Sequence, residues 1–277
     1  MPNTYPIYCI NLEHRKDRLR HSINQFKNLG ISPNTVIYPY FKKDPRGGVY
    51  GCFDSHIKVW NDFFINHPNE KYALVFEDDF VATNKSKTIL ENATKFIDNN
   101  YDKIDILFLH NICVDVENTI NYLNFTYGYG LGAHAYFVTR EYIKSIINKY
   151  GQLPEPNGRH IDFEIGFNII DNDNKIYSDK CFFVKKECFK QLTDKSDNYV
   201  NFIDEIIRFD INQNLEFIIN IFKVLKKMVL NDNQIKIIQW FINYLVTVKM
   251  NNMNIMNKNK KNTKQDLLKC LQLFFNN

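Results

Sequence analysis

The chain has 277 residues, 44% of them hydrophobic and 24% charged, with a net charge of +4, which is ample for a sizeable core and for one large or two modest domains. This composition excludes a disordered chain, and with no run approaching 18 consecutive apolar residues nothing in it reads as a membrane span. The charge is uneven: residues 1–199 carry 24 Lys+Arg against 25 Asp+Glu, and residues 200–277 carry 11 against 6. The basic excess therefore lies in the tail, which argues against a dedicated nucleic-acid groove.

Six cysteines (Cys9, Cys52, Cys113, Cys181, Cys188 and Cys270) are scattered without CxxC spacing. They read as reduced core residues rather than a disulfide framework or a zinc site. The opening residues reach Glu13-His14-Arg15-Lys16 before any sustained apolar stretch, so the expectation is a cytosolic protein, or one peripheral to a membrane.

In chain order, Pro6 to Leu12 reads as a strand, and Leu19, Ile23, Phe26 and Leu29 recur at helical spacing until Gly30 offers a C-cap. Val36 to Phe41 predicts a second strand, followed by a turn at Asp44-Pro45-Arg46-Gly47-Gly48. From Gly51 to Asn66 the spacing of Cys52, Val59, Trp60, Phe63 and Phe64 predicts a helix packed under a sheet and ended by Pro68. Tyr72 to Phe76 is a buried strand running into Glu77-Asp78-Asp79. A helix from Lys87 to Ile97 and a strand from Ile104 to Leu109 follow. Tyr127-Gly128-Tyr129-Gly130-Leu131-Gly132 reads as a mobile loop carrying the aromatic side chains Tyr127 and Tyr129. A strand Ala135 to Val138, a helix Arg140 to Tyr150, a helix from Asp162 to Ile170, a turn at Asp171-Asn172-Asp173-Asn174 and a strand Cys181 to Val184 complete the region. Strands alternating with helices predict a largely parallel, layered α/β domain over residues 1–198. Residues 199–277 read as helices alone, an all-helical C-terminal appendage that packs on the first domain, on a partner, or on a membrane surface.

The acidic triplet concentrates the chemistry. An apolar strand delivers carboxylates to its own carboxyl end, the edge where open α/β sheets bind ligands. Like charges so close repel unless water, a basic partner or a cation relieves them. Glu77 and Asp79 stand two apart and point the same way if the strand continues through them, with Asp78 on the opposite face. Oxygen donors of this kind suit Mn²⁺ or Mg²⁺. Two further segments offer partners. In Asn11-Leu12-Glu13-His14-Arg15-Lys16-Asp17-Arg18, a helix start bears arginines suited to phosphate oxygens. In Gly51-Cys52-Phe53-Asp54-Ser55-His56, polar groups open an otherwise apolar helix, and Ser55 and His56 are placed to share the cleft with the acids. His134 and His160 compete as further metal or phosphate contacts.

These blocks, Ile10-Asn11-Leu12 with Arg15 and Asp17-Arg18, Gly51-Cys52 with Ser55-His56, and Phe76-Glu77-Asp78-Asp79, resemble in their order the signature blocks of glycosyltransferase family 25. That family includes lipooligosaccharide and collagen galactosyltransferases. Ala135-Tyr136-Phe137 and Gln191 followed by Ser196-Asp197 are compatible with its later blocks. The resemblance spans residues 5–198. It implies a GT-A-type, Rossmann-like mixed sheet flanked by helices, and inverting transfer of a hexose from UDP-galactose or UDP-glucose to a hydroxyl of a glycan or protein acceptor. It also implies a metal held by Asp79 and Glu77, and nucleotide-sugar contacts from Asn11, Leu12, Arg15, Arg18, Ser55, His56 and Asp78. Asp162, with Glu164 second, follows a Pro/Gly-marked loop and resembles the family's late acidic position, that of the base which deprotonates the acceptor. A metal-dependent phosphoesterase or nucleotidyltransferase, and a catalytically silent glycan-binding protein, are the competing readings.

Overall fold

The computed structural model describes residues 5–110, 113–115, 124–130, 132–156, 160–166, 178, 180–185 and 188–192. The chain divides into two units, Met1–Asp197 and Asn198–Asn277, and all described residues lie in the first. The helices expected over residues 199–277, and the turn expected at Asp171 to Asn174, lie outside the described residues.

The first unit is a mixed α/β structure around a mostly parallel sheet. Its strands are β1 (Ile7–Leu12), β2 (Val36–Ile37), β3 (Tyr40–Phe41), β4 (Tyr72–Glu77), β5 (Phe80–Ala82), β6 (Ile106–Phe108), β7 (Cys113–Asp115), β8 (Phe125–Gly130), β9 (Ala135–Thr139), β10 (Cys181–Val184) and β11 (Phe189–Gln191). The helices are α1 (Lys16–Leu29), α2 (Gly48–Asn66), α3 (Ser86–Asn99), α4 (Arg140–Tyr150) and α5 (Ile161–Gly166). Among the described residues the main sheet runs β2-β1-β4-β9-β6-β10-β8-β7, with β3 also paired to β1, and β5 pairs with β11 in a separate two-stranded sheet. β1 is parallel to β2, β3 and β4, and β6 is parallel to β10, while β9 runs antiparallel between β4 and β6. The carboxyl ends of β1, β4 and β6 and the amino end of β9 therefore share one edge.

Side-chain alternation along the strands sorts the core into two faces. Ile7 and Cys9 of β1 and Tyr72, Leu74 and Phe76 of β4 pack with Phe26 and Leu29 of α1 and with Ile89, Leu90, Ala93, Phe96 and Ile97 of α3. Tyr8, Ala73 and Val75 face the other way, onto Phe53, Ile57, Trp60 and Phe63 of α2, Tyr142, Ile143 and Ile146 of α4, and Ile161 and Ile165 of α5. A sheet covered on both sides needs near-continuous apolar strands, and Tyr72 to Phe76 is such a run.

Helix ends follow local chemistry. Gly30 closes α1 at φ 75°, its N–H bonded to Lys27 and Phe26 carbonyls, a left-handed cap that costs glycine little. Arg140 gathers the carbonyls at the end of α2: its guanidinium donates to Phe63, Phe64 and His67, and also to Glu70 beyond. The Phe63 carbonyl also accepts the His67 N–H, and the guanidinium serves the helix end, where carbonyls run short of intrahelical partners.

Three expectations change. The strand predicted over Val36 to Phe41 splits into β2 and β3 at Tyr38-Pro39, because a proline has no N–H for the ladder. Of the glycine-rich run expected as a mobile loop, Tyr127 to Gly130 belong to strand β8, antiparallel to β10 and β7. Tyr127 packs edge-on against Phe182 rather than standing in a loop. The small β5–β11 sheet, which had no sequence signal, carries Gln191 to the acidic turn.

Candidate active site

β4 ends at Glu77, and Asp78 and Asp79 form the turn into β5. The alternation that sends Ala73 and Val75 towards α2 sends Glu77 there too. Its Oε1 lies 3.0 Å from His56 Nε2 and 3.7 Å from the Cys52 thiol, one helical turn apart on α2. The paired orientation expected for Glu77 and Asp79 therefore does not form. The strand stops between them, and the turn swings Asp79 to the α1 side.

There Asp78 and Asp79 meet Arg18. The guanidinium NH1 sits 3.2 Å from Asp79 Oδ2 and 3.7 Å from Asp78 Oδ1. Asn11, at the end of β1, donates to Asp78 Oδ2 at 2.6 Å and to the Arg15 carbonyl at 3.2 Å, tying the start of α1 to the acidic turn. Gln191 of β11 donates to Asp79 Oδ2 at 3.0 Å, across 112 residues of sequence, and the Leu192 N–H bonds the Asp79 carbonyl at 2.9 Å.

The carboxylates are buried unevenly, and their acidities follow. Asp79 is 8% exposed. Burial first, then the charges of Glu77 and Asp78, push its carboxyl up to about 7, against the pull of Arg18 and the Gln191 hydrogen bond. Burial likewise raises Asp78, opposed by Asn11 and Arg18. Burial acts on Glu77 in the same sense, but the His56 hydrogen bond and charge, the charge of His134 and the Cys52 thiol outweigh it and hold Glu77 below its usual range. Asp79 Oδ1 is buried with no hydrogen-bond partner, an arrangement that native proteins avoid unless something binds there.

Behind Glu77 runs a directed chain of hydrogen bonds. Trp60 Nε1–H donates to the Tyr136 hydroxyl at 2.9 Å, and that hydroxyl lies 2.7 Å from His56 Nδ1. With the imidazole neutral and its hydrogen on Nε2, Tyr136 donates to His56 and His56 donates to Glu77, so every hydrogen is used. Trp60, His56 and Tyr136 are fully buried, which fixes the orientation of Glu77.

Asp162 opens α5, and its Oδ2 accepts the Gly132 N–H at 2.8 Å. Gly132 has φ 101°, and a Cβ there would stand 3.3 Å from the His110 ring and 3.4 Å from the His134 ring. The position thus requires glycine on both conformational and steric grounds. His110 and His134 stack at 4.7 Å, and His110 Nε2 is 2.6 Å from the Gly132 carbonyl. Burial, then His134, push the His110 pKa well below its ordinary value. His160 is lowered by burial against the opposing charges of Asp162 and Glu77.

The residues named from the sequence thus divide. Asn11, Arg18, Asp78 and Asp79 converge on one side of the strand end, and His56 with Glu77 on the other. Leu12 supports the site through backbone, its carbonyl accepting the Arg15 N–H. Ser55 is buried and bonds back to the Gly51 carbonyl at 2.7 Å, away from the acids, as hydroxyls inside helices often do. Arg15 pairs with Asp17 at 2.9 Å at the surface. Glu164 is 1% exposed, whereas Asp162 is partly open. Trp60 and Gly132 take part without having been named for the site, and Cys52, Tyr136 and Gln191, named only within the family blocks, reach it through long-range packing.

The oxygen set at the turn fits a divalent cation of the Mn²⁺ or Mg²⁺ type: two adjacent carboxylates, one with a partnerless oxygen and a raised pKa. Asp79 and Asp78 are the residues that would hold it; Glu77 faces elsewhere.

No curated protein matches this chain in sequence. Among solved structures it is similar to a glycosyltransferase involved in the glycosylation of the major capsid of PBCV-1, at 14% identity over 73% of this chain and 99% of that one, with a TM-score of 0.38. It is also similar to A197 from STIV (11% identity, 69% and 86% covered, TM-score 0.40) and to S. aureus TarS (10%, 88% and 48%, 0.37). These structural likenesses are loose. The family comparison is specific: residues 39–163, which hold Cys52, His56, the acidic triplet and Asp162, match the model of glycosyltransferase family 25 (LPS biosynthesis protein), so that over this segment the resemblance carried by the sequence blocks is borne out.

Proposed function

We propose that this protein is an inverting glycosyltransferase of GT-A type, moving galactose or glucose from a UDP-sugar to a hydroxyl of a glycan or protein acceptor. The observation that carries the reading is the partnerless Asp79 Oδ1, buried beside Asp78 and Arg18 at the carboxyl end of β4 within the family 25 match. A divalent cation bound by Asp79 and Asp78 would neutralise charge on the diphosphate leaving group. The protein's own residues supply the rest. Arg18 opposes the protonation of the two aspartates and holds them adjacent, Asn11 holds Asp78 in place, and Gln191 orients Asp79. The start of α1 is tied to the same turn through the bond from Asn11 to the Arg15 carbonyl, and a helix start is a setting that suits phosphate oxygens.

Asp162 serves as the base in this reading. Its Oδ2 accepts the Gly132 N–H and its side chain is only partly buried, which suits the base that the family resemblance implies at this position. Glu164, almost wholly buried, supports α5 instead. The direct test is turnover of UDP-galactose and UDP-glucose with candidate acceptors, with and without Mn²⁺. Release of UDP with a glycosylated product supports the transferase; cleavage of the nucleotide without an acceptor points to a phosphoesterase. No turnover of either donor, together with no Mn²⁺-dependent thermal protection by UDP-sugars, would sink the reading.

A further inference from the structure

The opposite side of the β4 end holds donors of a different chemical kind. Cys52 and His56 stand four residues apart on α2, so they share a helix face one turn apart. Glu77 of β4 faces them, and the Cys52 Sγ, His56 Nε2 and Glu77 Oε1 atoms all lie within 4.8 Å of one another. We propose that Cys52, His56 and Glu77 form a binding site for a zinc-class divalent cation, separate from the oxygen donors of Asp78 and Asp79. This inference goes beyond the transferase reading and does not depend on it.

Three features support the assignment. Zinc bonds of about 2.0–2.3 Å set tetrahedral donors roughly 3.3–3.6 Å apart. The His56–Glu77 pair stands at 3.0 Å and the Cys52–Glu77 pair at 3.7 Å, so small side-chain adjustments admit the ion. A thiol with an imidazole also selects zinc over magnesium or manganese, which favour oxygen alone.

The second feature is the support behind the imidazole. A ligating histidine needs a partner for its other nitrogen, and the Tyr136 hydroxyl stands 2.7 Å from His56 Nδ1, itself anchored by Trp60. When Nε2 takes the ion, the imidazole hydrogen resides on Nδ1 and the Tyr136 oxygen accepts it. The third is access: His56 is buried, but Glu77 keeps 20% of its side chain exposed and Cys52 is only partly buried, which leaves an entry path. Binding releases one proton, from the Cys52 thiol to solvent. Three protein ligands leave the fourth tetrahedral position to a water or to a substrate oxygen.

Cobalt(II) tests the site in the full chain, because a thiolate ligand produces a charge-transfer absorption that oxygen ligands do not. One equivalent of Co²⁺ is expected to give that band in the wild type, and Zn²⁺ to abolish it, whereas equimolar Mn²⁺ leaves it in place. Cys52→Ser should eliminate the band with an unchanged circular dichroism spectrum, while Cys270→Ser retains it. Tyr136→Phe should weaken zinc binding by about 10–100-fold, the usual effect of removing a ligand's hydrogen-bond partner. A wild type without the band, a band that survives Cys52→Ser, or zinc affinity indifferent to Tyr136→Phe overturns the proposal. Because metal binding rather than sugar transfer is read, its failure leaves the transferase reading untouched, and the reverse also holds.

Discussion

Arg18 and Asp79, from the first turn of α1 and the turn after β4, meet at 3.2 Å with side chains only 7% and 12% exposed. A guanidinium so enclosed pairs with two carboxylates at once, because the partly buried Asp78 stands 3.7 Å away from the same NH1. Arg18→Ala would leave both acids unpaired. The expected cost is about 3–5 kcal/mol of stability at pH 8, the range for breaking a buried pair by removing one partner. It should shrink as pH falls below about 7, where Asp79 takes up its proton. Urea midpoints above and below that value check this, and a variant equally stable to wild type at pH 8 contradicts it.

Asp79 predicts a pH dependence whose sign is fixed. In the folded protein the carboxyl holds its proton up to about 7, and in the unfolded chain it releases it near the ordinary 3.8. Between those values the folded state binds more protons, so this group's contribution to stability is present at low pH and is lost as pH rises through that window. The loss approaches about 1.4 kcal/mol per pH unit in the middle of the window. Asp79→Asn should flatten the slope between pH 5 and 7 in chemical denaturation while keeping the fold, and in the proposed enzyme it should abolish transfer. A slope identical to wild type would show that another group carries it.

Gln191→Ala removes one neutral donor from a buried carboxylate. A hydrogen bond to a charged group is worth about 1.5–3 kcal/mol, so sugar transfer should fall by roughly one to two orders of magnitude without loss of secondary structure. Steady-state kinetics with a saturating acceptor are the check. Gln191→Glu should be worse than alanine, since it adds a fourth carboxylate to the cluster.

Tyr136→Phe deletes the hydroxyl shared by Trp60 and His56. Two buried groups lose their partner, at about 1–3 kcal/mol each. Thermal unfolding should show a clear drop, whereas the exposed Tyr40→Phe, at a side chain 88% accessible, should show none.

Asp162→Asn retains the Gly132 hydrogen bond through the amide oxygen but cannot accept the acceptor's proton. Transfer should collapse while UDP-sugar binding, followed by calorimetry, stays within about twofold of wild type, since the removed interaction acts in the transition state. Glu164→Gln, at a buried position, is expected to lower stability more than it lowers the rate constant per folded molecule.

The layered α/β class, the strand feeding the acids and the caps at Gly30 and Pro68 were legible because each rests on a short-range rule. An apolar run, a helical period and a residue with special backbone freedom all act within a few positions. The acidic triplet, Asn11, Arg18 and His56 could be named for the same reason: charge on a strand end and polar groups at helix starts are local anomalies. The grouping of these residues could not. Whether Glu77 joins Asp79 depends on where β4 stops, and it stops at Glu77, so the period of two leaves Glu77 on the α2 face while the turn carries Asp79 to Arg18.

By itself, then, the sequence determined which residue types would crowd one sheet edge, and it ordered the blocks that mark family 25 between residues 39 and 163. Only the tertiary structure decided their partition into an arginine-bound aspartate pair and a thiol–imidazole–carboxylate cluster. It alone brought Gln191 to Asp79 from 112 residues away. The physical reason is that strand ends, sheet pairing and the packing of α1 and α2 on opposite faces set side-chain direction, and none of these is encoded within the few residues around any one acid.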